Sequence, residues 1–269
     1  MIFGSSYGPD EKLIDFTYAA LDVETTGFSI KYDRICEIGI VIWKSGEKMK
    51  EFSSLVNTEK PISPESKKVH GISYGMIKNA PYFYEIADDV ESLLKDTIIL
   101  GHNVFIVDLS FLNKELKTAG RKPIYNLFID THVISRRIYP GLRKRSLKSL
   151  AESLGIHTEE YHRALSDARV TMKIWMKILD KMRGDGIETI GELQRMGILY
   201  GKVREKAKKV MEIARMQGFV KIIYHSPFSG KTERTIEPLG VRGNKLDAFC
   251  HLREDFRTFE LDRIVEIIE

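Results

Sequence analysis

Thr17-Tyr-Ala-Ala-Leu21-Asp22-Val23-Glu24-Thr25-Thr26-Gly27 is the stretch from which the rest of the chain is read. Thr17 to Val23 is short, apolar and β-prone, the pattern of a strand. On a strand, side chains two apart leave the same face, so Asp22 and Glu24 stand side by side while Leu21 and Val23 point into a core. Two adjacent carboxylates repel one another unless a cation sits between them. The plain alternative is the solvated face of an edge strand. Thr25-Thr26-Gly27 follows at once, and its hydroxyls and glycine turn suit close approach by a phosphate or sugar.

Working outward, Ile35 to Trp43 and Glu51 to Val56 read as two further strands, with Gly27 and Gly46 as turns, an antiparallel start to a sheet. The periodicity then changes. Tyr82–Leu94, Leu109–Thr118, Leu147–Leu154 and His162–Met182 carry apolar residues at helical spacing. Short strands are expected at Thr97–Leu100 and Leu127–Asp130. This order implies an α/β domain with a mixed sheet flanked by helices. Arg183-Gly184-Asp185-Gly186 breaks the last helix and marks a domain edge. The expected division is a first domain over 1–183, a helical linker over 184–218 carrying a charged helix (Gly201 to Gly218), and a small all-β barrel over 219–269. The barrel strands are expected at Val220–Tyr224, Arg234–Pro238, Leu246–His251 and Arg257–Leu261.

Composition is that of an ordinary globular protein, 43% hydrophobic and 30% charged over 269 residues. No apolar run approaches the ~18 residues of a membrane-spanning helix, and the first residues lack the basic start and apolar core of a signal peptide. Cys36 and Cys250 lie in separate apolar stretches and read as buried thiols of a reducing compartment, so the cytoplasm is the expected location. A net charge of +4 permits a nucleic-acid partner without demanding one. No P-loop or HExxH motif is present, which leaves an ATPase or zinc protease unsupported.

Two further acidic stretches bear on Asp22 and Glu24. Gly101-His102-Asn103 is followed by Asp108 at the start of a helix, where a lone aspartate caps as readily as it binds a ligand. His162-Arg163-Ala164-Leu-Ser-Asp167-Ala168 holds a histidine and an aspartate five apart. On one helix these would face roughly 140° apart. With His162 in the preceding loop and Asp167 in the first turn, both can face one site. Hard oxygen ligands with no cysteine nearby suit Mg²⁺ or Mn²⁺. Two such ions serve an in-line displacement at phosphorus, and a neutral histidine is a natural proton acceptor from the attacking water.

Residues 15–182 resemble the proofreading-type 3′→5′ exonucleases of the DEDDh (DnaQ-like) group, within the ribonuclease H-like superfamily. The Asp22-Val-Glu-Thr-Thr-Gly27 and His162-Arg-Ala-Leu-Ser-Asp-Ala168 stretches carry the resemblance. It implies Asp22, Glu24, Asp108 and Asp167 as ligands of two divalent ions and His162 as general base. It also implies release of nucleoside 5′-monophosphates from a 3′-hydroxyl end. Thr25, Thr26 and Phe28 would hold the terminal nucleotide, Phe28 by stacking on a base, and Asn103 would contact the strand. One departure is visible: five steps separate Asn103 from Asp108 where the family has four, and Val107 stands in the place of a phenylalanine. Val69-His70-Gly71-Ile72 also looks like a family sequence and reads as structural, as does His102. Arg143, Arg145 and Arg163 are weaker candidates for the phosphate backbone, and basic runs of this kind are commonly solvated faces.

Arg234 to Ile264 resembles the WYL domain, a small Sm/SH3-like β-barrel associated with ligand sensing and nucleic-acid binding. Asn244-Lys245-Leu246 stands where Trp-Tyr-Leu names the domain. The resemblance implies Arg253, Arg257 and Arg263 as contacts for an anionic partner, against the alternative of solvent-facing ladder residues. The expected activity is hydrolysis of single-stranded DNA, in preference to RNA, from a free 3′ end. A regulatory nucleic-acid-binding protein and a proofreading subunit that docks a polymerase through Lys202–Lys209 are the rivals.

Overall fold

The computed structural model describes residues 10–103, 108–124, 126–158, 161–196, 205–226, 230–242 and 245–268. The chain divides into two compact units, residues 1–198 and 199–269.

The first unit is built on a five-stranded mixed sheet. β1 (Thr17–Thr25), β2 (Ile35–Lys44) and β3 (Glu47–Leu55) form the expected meander. After α1 (Pro64–His70), α2 (Tyr74–Ile77) and α3 (Phe83–Leu94) come β4 (Ile98–Gly101), α4 (Asp108–Thr118), β5 (Phe128–Asp130), α5 (Thr131–Ile138), α6 (Leu147–Ser153), α7 (Ala164–Gly184) and α8 (Ile190–Arg195). The strand order is β3-β2-β1-β4-β5, with β4 and β5 parallel to β1. β1 and β2 are buried along nearly their whole length because α7 and α4 pack on both and α3 on β2. α7 lies across β1 and β2. Its Trp175 ring meets Tyr18 at 5.2 Å, and Tyr18 meets Trp43 at 5.9 Å. The Tyr18 hydroxyl, buried among these rings, donates to Leu13 O at 2.7 Å, as a buried phenol must.

The second unit holds α9 (Glu205–Gln217) and the antiparallel strands β6 (Val220–Ser226), β7 (Gly230–Arg242), β8 (Lys245–Cys250), β9 (Asp255–Glu260) and β10 (Ile264–Ile268), ordered β10-β6-β7-β8-β9. A closed barrel is the expectation corrected here: among the described residues β9 and β10 are edges with no ladder between them. The sheet is nonetheless strongly coiled. Five flat strands would hold their outer members ~19 Å apart, whereas only Leu261–Arg263 joins β9 to β10, a reach of at most ~15 Å. The Tyr224 ring touches Phe259 at 5.0 Å, and its hydroxyl accepts the Glu260 N–H at 3.3 Å. A side chain thus takes the place that a ladder bond would have in a closed barrel.

The segment read as a linker is divided between the units. Ile190 and Leu193 of α8 are buried, and the Ile190 N–H donates to Glu11 O at 3.0 Å in the first unit. Val210 and Ile213 of α9 are buried in one cluster with Val220, Ile222, Ile236 and Ile264 of the second. Burial of an aliphatic side chain contributes ~1.5–3 kcal/mol, so α9 is part of that unit's core. Residues 202–204, the start of the basic stretch expected to dock a polymerase, lie outside the described residues. No helix among the described residues is long and apolar enough to cross a membrane.

Candidate active site

Asp22 and Glu24 leave β1 on one face, beyond fully buried Leu21 and beside buried Val23. The site therefore sits at the carboxyl end of β1, where the parallel strands β4 and β5 also end, the usual place for ligands in such sheets. Asp108 is the first residue of α4 and is buried; its Oδ1 accepts the Val23 N–H at 3.1 Å. Asp167 lies in the first turn of α7, also buried, and its Oδ2 accepts the His162 N–H at 3.1 Å. His162 stands two residues before α7, in the left-handed region at φ 62°, a conformation that costs a non-glycine residue ~1–2 kcal/mol. Ligand atoms of Glu24, His162 and Asp167 all lie within 4.8 Å of one another. The loop placement of His162, with Asp167 on the helix, is what lets both face one point.

The electrostatics confirm that these carboxylates share one space. Burial first, then Asp108, Asp167 and Glu24, push the Asp22 carboxyl well above its usual range. Burial, followed by Asp167 and Glu37, pushes Glu24 up to about 8. Burial likewise raises Asp108 to about 8, against the lowering effect of the Val23 hydrogen bond. Buried charges of one sign are costly without a counter-charge. Asp22, Glu24, Asp108 and Asp167 offer an all-oxygen donor set that could hold a hard divalent cation.

The turn after β1 is a closed structure of its own. Thr25 Oγ1 donates to Gly27 O at 2.8 Å, and Thr26 Oγ1 donates to Asp33 Oδ1 at 3.3 Å while accepting the Arg34 N–H at 3.1 Å. Thr26 is fully buried. Its hydroxyl serves the turn, which uses its own side chains to satisfy its polar groups. Asp33 Oδ2 accepts the Ser29 N–H at 2.9 Å, and Lys60 Nζ pairs with Asp33 Oδ1 at 2.5 Å. A Cβ on Gly27 would lie 2.4 Å from Asp33 Oδ2, which explains the glycine. Buried His70 donates from Nε2 to Thr25 O at 3.2 Å and accepts the Ile72 N–H on Nδ1 at 3.0 Å. Burial lowers its pKa, in keeping with a neutral ring. Phe28 projects from the same turn, 77% exposed.

Asn103, at φ 61°, donates its N–H to Asp130 Oδ1 at 3.1 Å and meets His132 Nδ1 through Oδ1 at 2.7 Å. Residues 104–107, which contain Val107, lie outside the described residues. His102 donates from Nε2 to Arg145 O at 2.8 Å and meets Thr131 Oγ1 at 3.0 Å, and burial lowers its pKa to about 4. Among the basic candidates, Arg143 is exposed. Arg145 is turned inward, bonding Leu142 O and, at 2.8 Å, Tyr139 O. The Arg163 guanidinium is held by Glu37 at 2.7 Å. Arg253 and Arg257 are exposed, and Arg263 pairs with Glu260 at 3.0 Å.

Sequence reasoning missed Glu37 and Asp130. Glu37 is a lone charge in the apolar run Ile35–Trp43, which is the signal that marks it. Asp130 ends β5 and caps α5, accepting the His132 N–H at 2.9 Å, and its charge acts on Asp108.

Residues 19–175 match the exonuclease family model. The chain belongs to the exonuclease family. Residues 205–268 match the WYL domain model. Among exonuclease relatives, the DNA polymerase III subunit epsilon of Aquifex aeolicus (strain VF5) is 34% identical over 172 residues, 64% of this chain and 85% of that protein. The 3′-5′ exonuclease DinG of Bacillus subtilis (strain 168) is 35% identical over 180 residues, 66% of this chain but 19% of the relative. The PolC-type DNA polymerase III of Caldanaerobacter subterraneus is 33% identical over 186 residues, and the match spans only 13% of its length. In fold, the chain resembles E. coli exonuclease I in complex with a dA16 oligonucleotide, with a TM-score of 0.59, 18% identity, and coverage of 88% of this chain and 55% of that one.

Proposed function

We propose that the chain is a metal-dependent 3′→5′ exonuclease that hydrolyses single-stranded nucleic acid, DNA in preference to RNA, to nucleoside 5′-monophosphates. The observation that carries this reading is the group of Glu24, His162 and Asp167 ligand atoms within 4.8 Å of one another, with Asp22 and Asp108 close enough for their charges to act on it. The four carboxylates would hold two Mg²⁺ or Mn²⁺ ions, which supply charge stabilisation for an in-line displacement at phosphorus. His162, outside the helix and exposed, takes the proton of the attacking water. Asp167 orients it through the His162 N–H. Phe28 stacks on the terminal base, and Asn103 contacts the strand.

The second unit would steer the strand or regulate hydrolysis through exposed Arg253 and Arg257, and the cytoplasm is the proposed location. A second reading, a proofreading subunit that works beside a polymerase, is favoured by the 34% identity to a DNA polymerase III epsilon subunit over 85% of that protein. The deciding assay uses 5′-labelled single-stranded DNA and RNA in Mg²⁺, Mn²⁺ or EDTA, with His162→Ala as control. A metal-dependent ladder shortening from the 3′ end supports the nuclease. Tight binding without cleavage in any metal overturns it in favour of a purely binding protein. Co-purification of an active chain with a polymerase supports the second reading.

A further inference from the structure

Glu37 lies on β2 directly opposite Glu24, and Gly39 lies opposite Asp22. Both therefore face the side of the sheet on which the acidic cluster stands. Glu37 is 2% exposed, yet it is engaged on every side. Arg163 Nη2 donates to its Oε1 at 2.7 Å, Arg163 Nε donates to Oε1 at 3.1 Å and to Oε2 at 3.2 Å, and the Ala164 N–H donates to Oε2 at 3.0 Å. Gly39 allows this docking: a Cβ there would lie 2.3 Å from Leu165 N. The start of α7 rests on the main chain of β2.

The residue just before Arg163 is His162, exposed and held at φ 62°. An exposed imidazole has little packing to orient it, so its direction is set by the main chain beneath it. That main chain is tied on one side by Asp167 through the His162 N–H and on the other by Glu37 through Arg163 and Ala164. We propose that Glu37, acting through Arg163, is the positioning residue that aims His162 at the acidic cluster. The inference rests on the nuclease reading above. The planar fork of Arg163 matches the carboxylate bidentately and fixes an angle as well as a distance. Without Glu37 the His-Arg-Ala turn loses its tie to β2, and His162 can leave its left-handed conformation and carry the ring away. Asp22, Glu24, Asp108 and Asp167 keep their own supports on β1, α4 and α7. Glu37 thus differs from Glu24, its cross-strand neighbour, in being withdrawn from the metal set by an arginine.

The test compares wild type, Glu37→Ala, Glu37→Gln, His162→Ala and the Glu37→Ala/His162→Ala double variant, under single-turnover conditions on a labelled single-stranded oligonucleotide. Misplacing a catalytic group by about an ångström costs ~10²-fold in rate. Glu37→Ala is expected to lower the rate constant by ~10- to 100-fold, with half-saturation by substrate changed less than about twofold. Glu37→Gln, which keeps an acceptor for Arg163 or Ala164, recovers part of the loss. In the His162→Ala background, removing Glu37 has almost no further effect, because both act through one ring. Because the Glu37 charge also acts on Glu24, the Mn²⁺ concentration that half-saturates the thermal shift is compared between Glu37→Ala and Glu37→Gln, which lack that charge alike, and is the same in both. Equal fold-losses in both backgrounds overturn the proposal and make Glu37 merely structural. A Mn²⁺ midpoint weaker in Glu37→Ala than in Glu37→Gln also overturns it and places Glu37 among the ligands. If Glu37→Ala does not fold, Arg163→Lys, which keeps the charge but not the fork, is read by the same criteria. An inert wild-type chain overturns the nuclease reading itself, a result distinct from an active chain with additive losses.

Discussion

The Val23 N–H donates to Asp108 Oδ1 at 3.1 Å across 85 positions of sequence. The main chain of β1 therefore holds a carboxylate delivered by α4, and the strand that carries Asp22 and Glu24 also fixes the third acid. Asp108→Asn keeps an oxygen for that N–H and removes a charge. Hydrolysis should fall by at least ~100-fold while the melting temperature is kept or raised. Asp108→Ala leaves the buried Val23 N–H without this acceptor, at ~1–3 kcal/mol. Thermal melts beside rate measurements on the two variants check the contrast.

The acidic cluster should make the metal-free protein less stable as pH rises. Glu24 and Asp108 are raised to about 8 in the folded chain, and Asp22 well above its usual value; unfolded carboxyls titrate near ~4. Between these limits the folded state binds more protons than the unfolded one. Its stability contribution is thus full below pH ~4 and is lost as pH rises through 8. In EDTA the melting temperature should fall from pH 5 to pH 8, and Asp22→Asn should flatten the fall. Mn²⁺ should restore stability at pH 8 in the wild type and much less in Asp22→Asn. A wild-type melting temperature that rises over this window in EDTA would contradict the assignment.

Phe28, 77% exposed, has little packing to lose. Base–aromatic stacking is worth ~1–3 kcal/mol per base. Phe28→Ala should leave the melting temperature unchanged and weaken half-saturation by an oligonucleotide ~5- to 150-fold, as steady-state kinetics would record.

Gly27 is the opposite case. Any side chain there meets the Asp33 carboxylate, which also holds Ser29 and Lys60. Gly27→Ala should therefore open the turn, lower the melting temperature by several degrees and reduce activity. Gly46, whose Cβ would meet nothing within 4 Å, is the control: its φ of 91° makes alanine strained there too, but its effect should be confined to stability.

Much of the architecture is legible in the sequence because it is local. Period-two and helical patterning locates β1, β2 and the helices from Phe83, Asp108 and Ala164 to within a few residues. β10 (Ile264–Ile268) and α5 (Thr131–Ile138) escape that patterning: β10 is stabilised by pairing with β6, and α5 begins at an aspartate cap that sequence alone does not separate from a strand end.

By itself the sequence determined which chemical groups are available: Asp22 and Glu24 share a face because a strand has a period of two, and His162 and Asp167 lie only five positions apart along the chain. Tertiary structure decided which polar groups face the site and which are consumed. Thr26 turns inward to close its own loop, Arg145 binds main-chain carbonyls, and Arg163 binds Glu37. Each of these residues has more than one partner of suitable chemistry. Burial selects among them, since a hydrogen-bonding group removed from water must be satisfied by whatever the fold brings within about 3 Å.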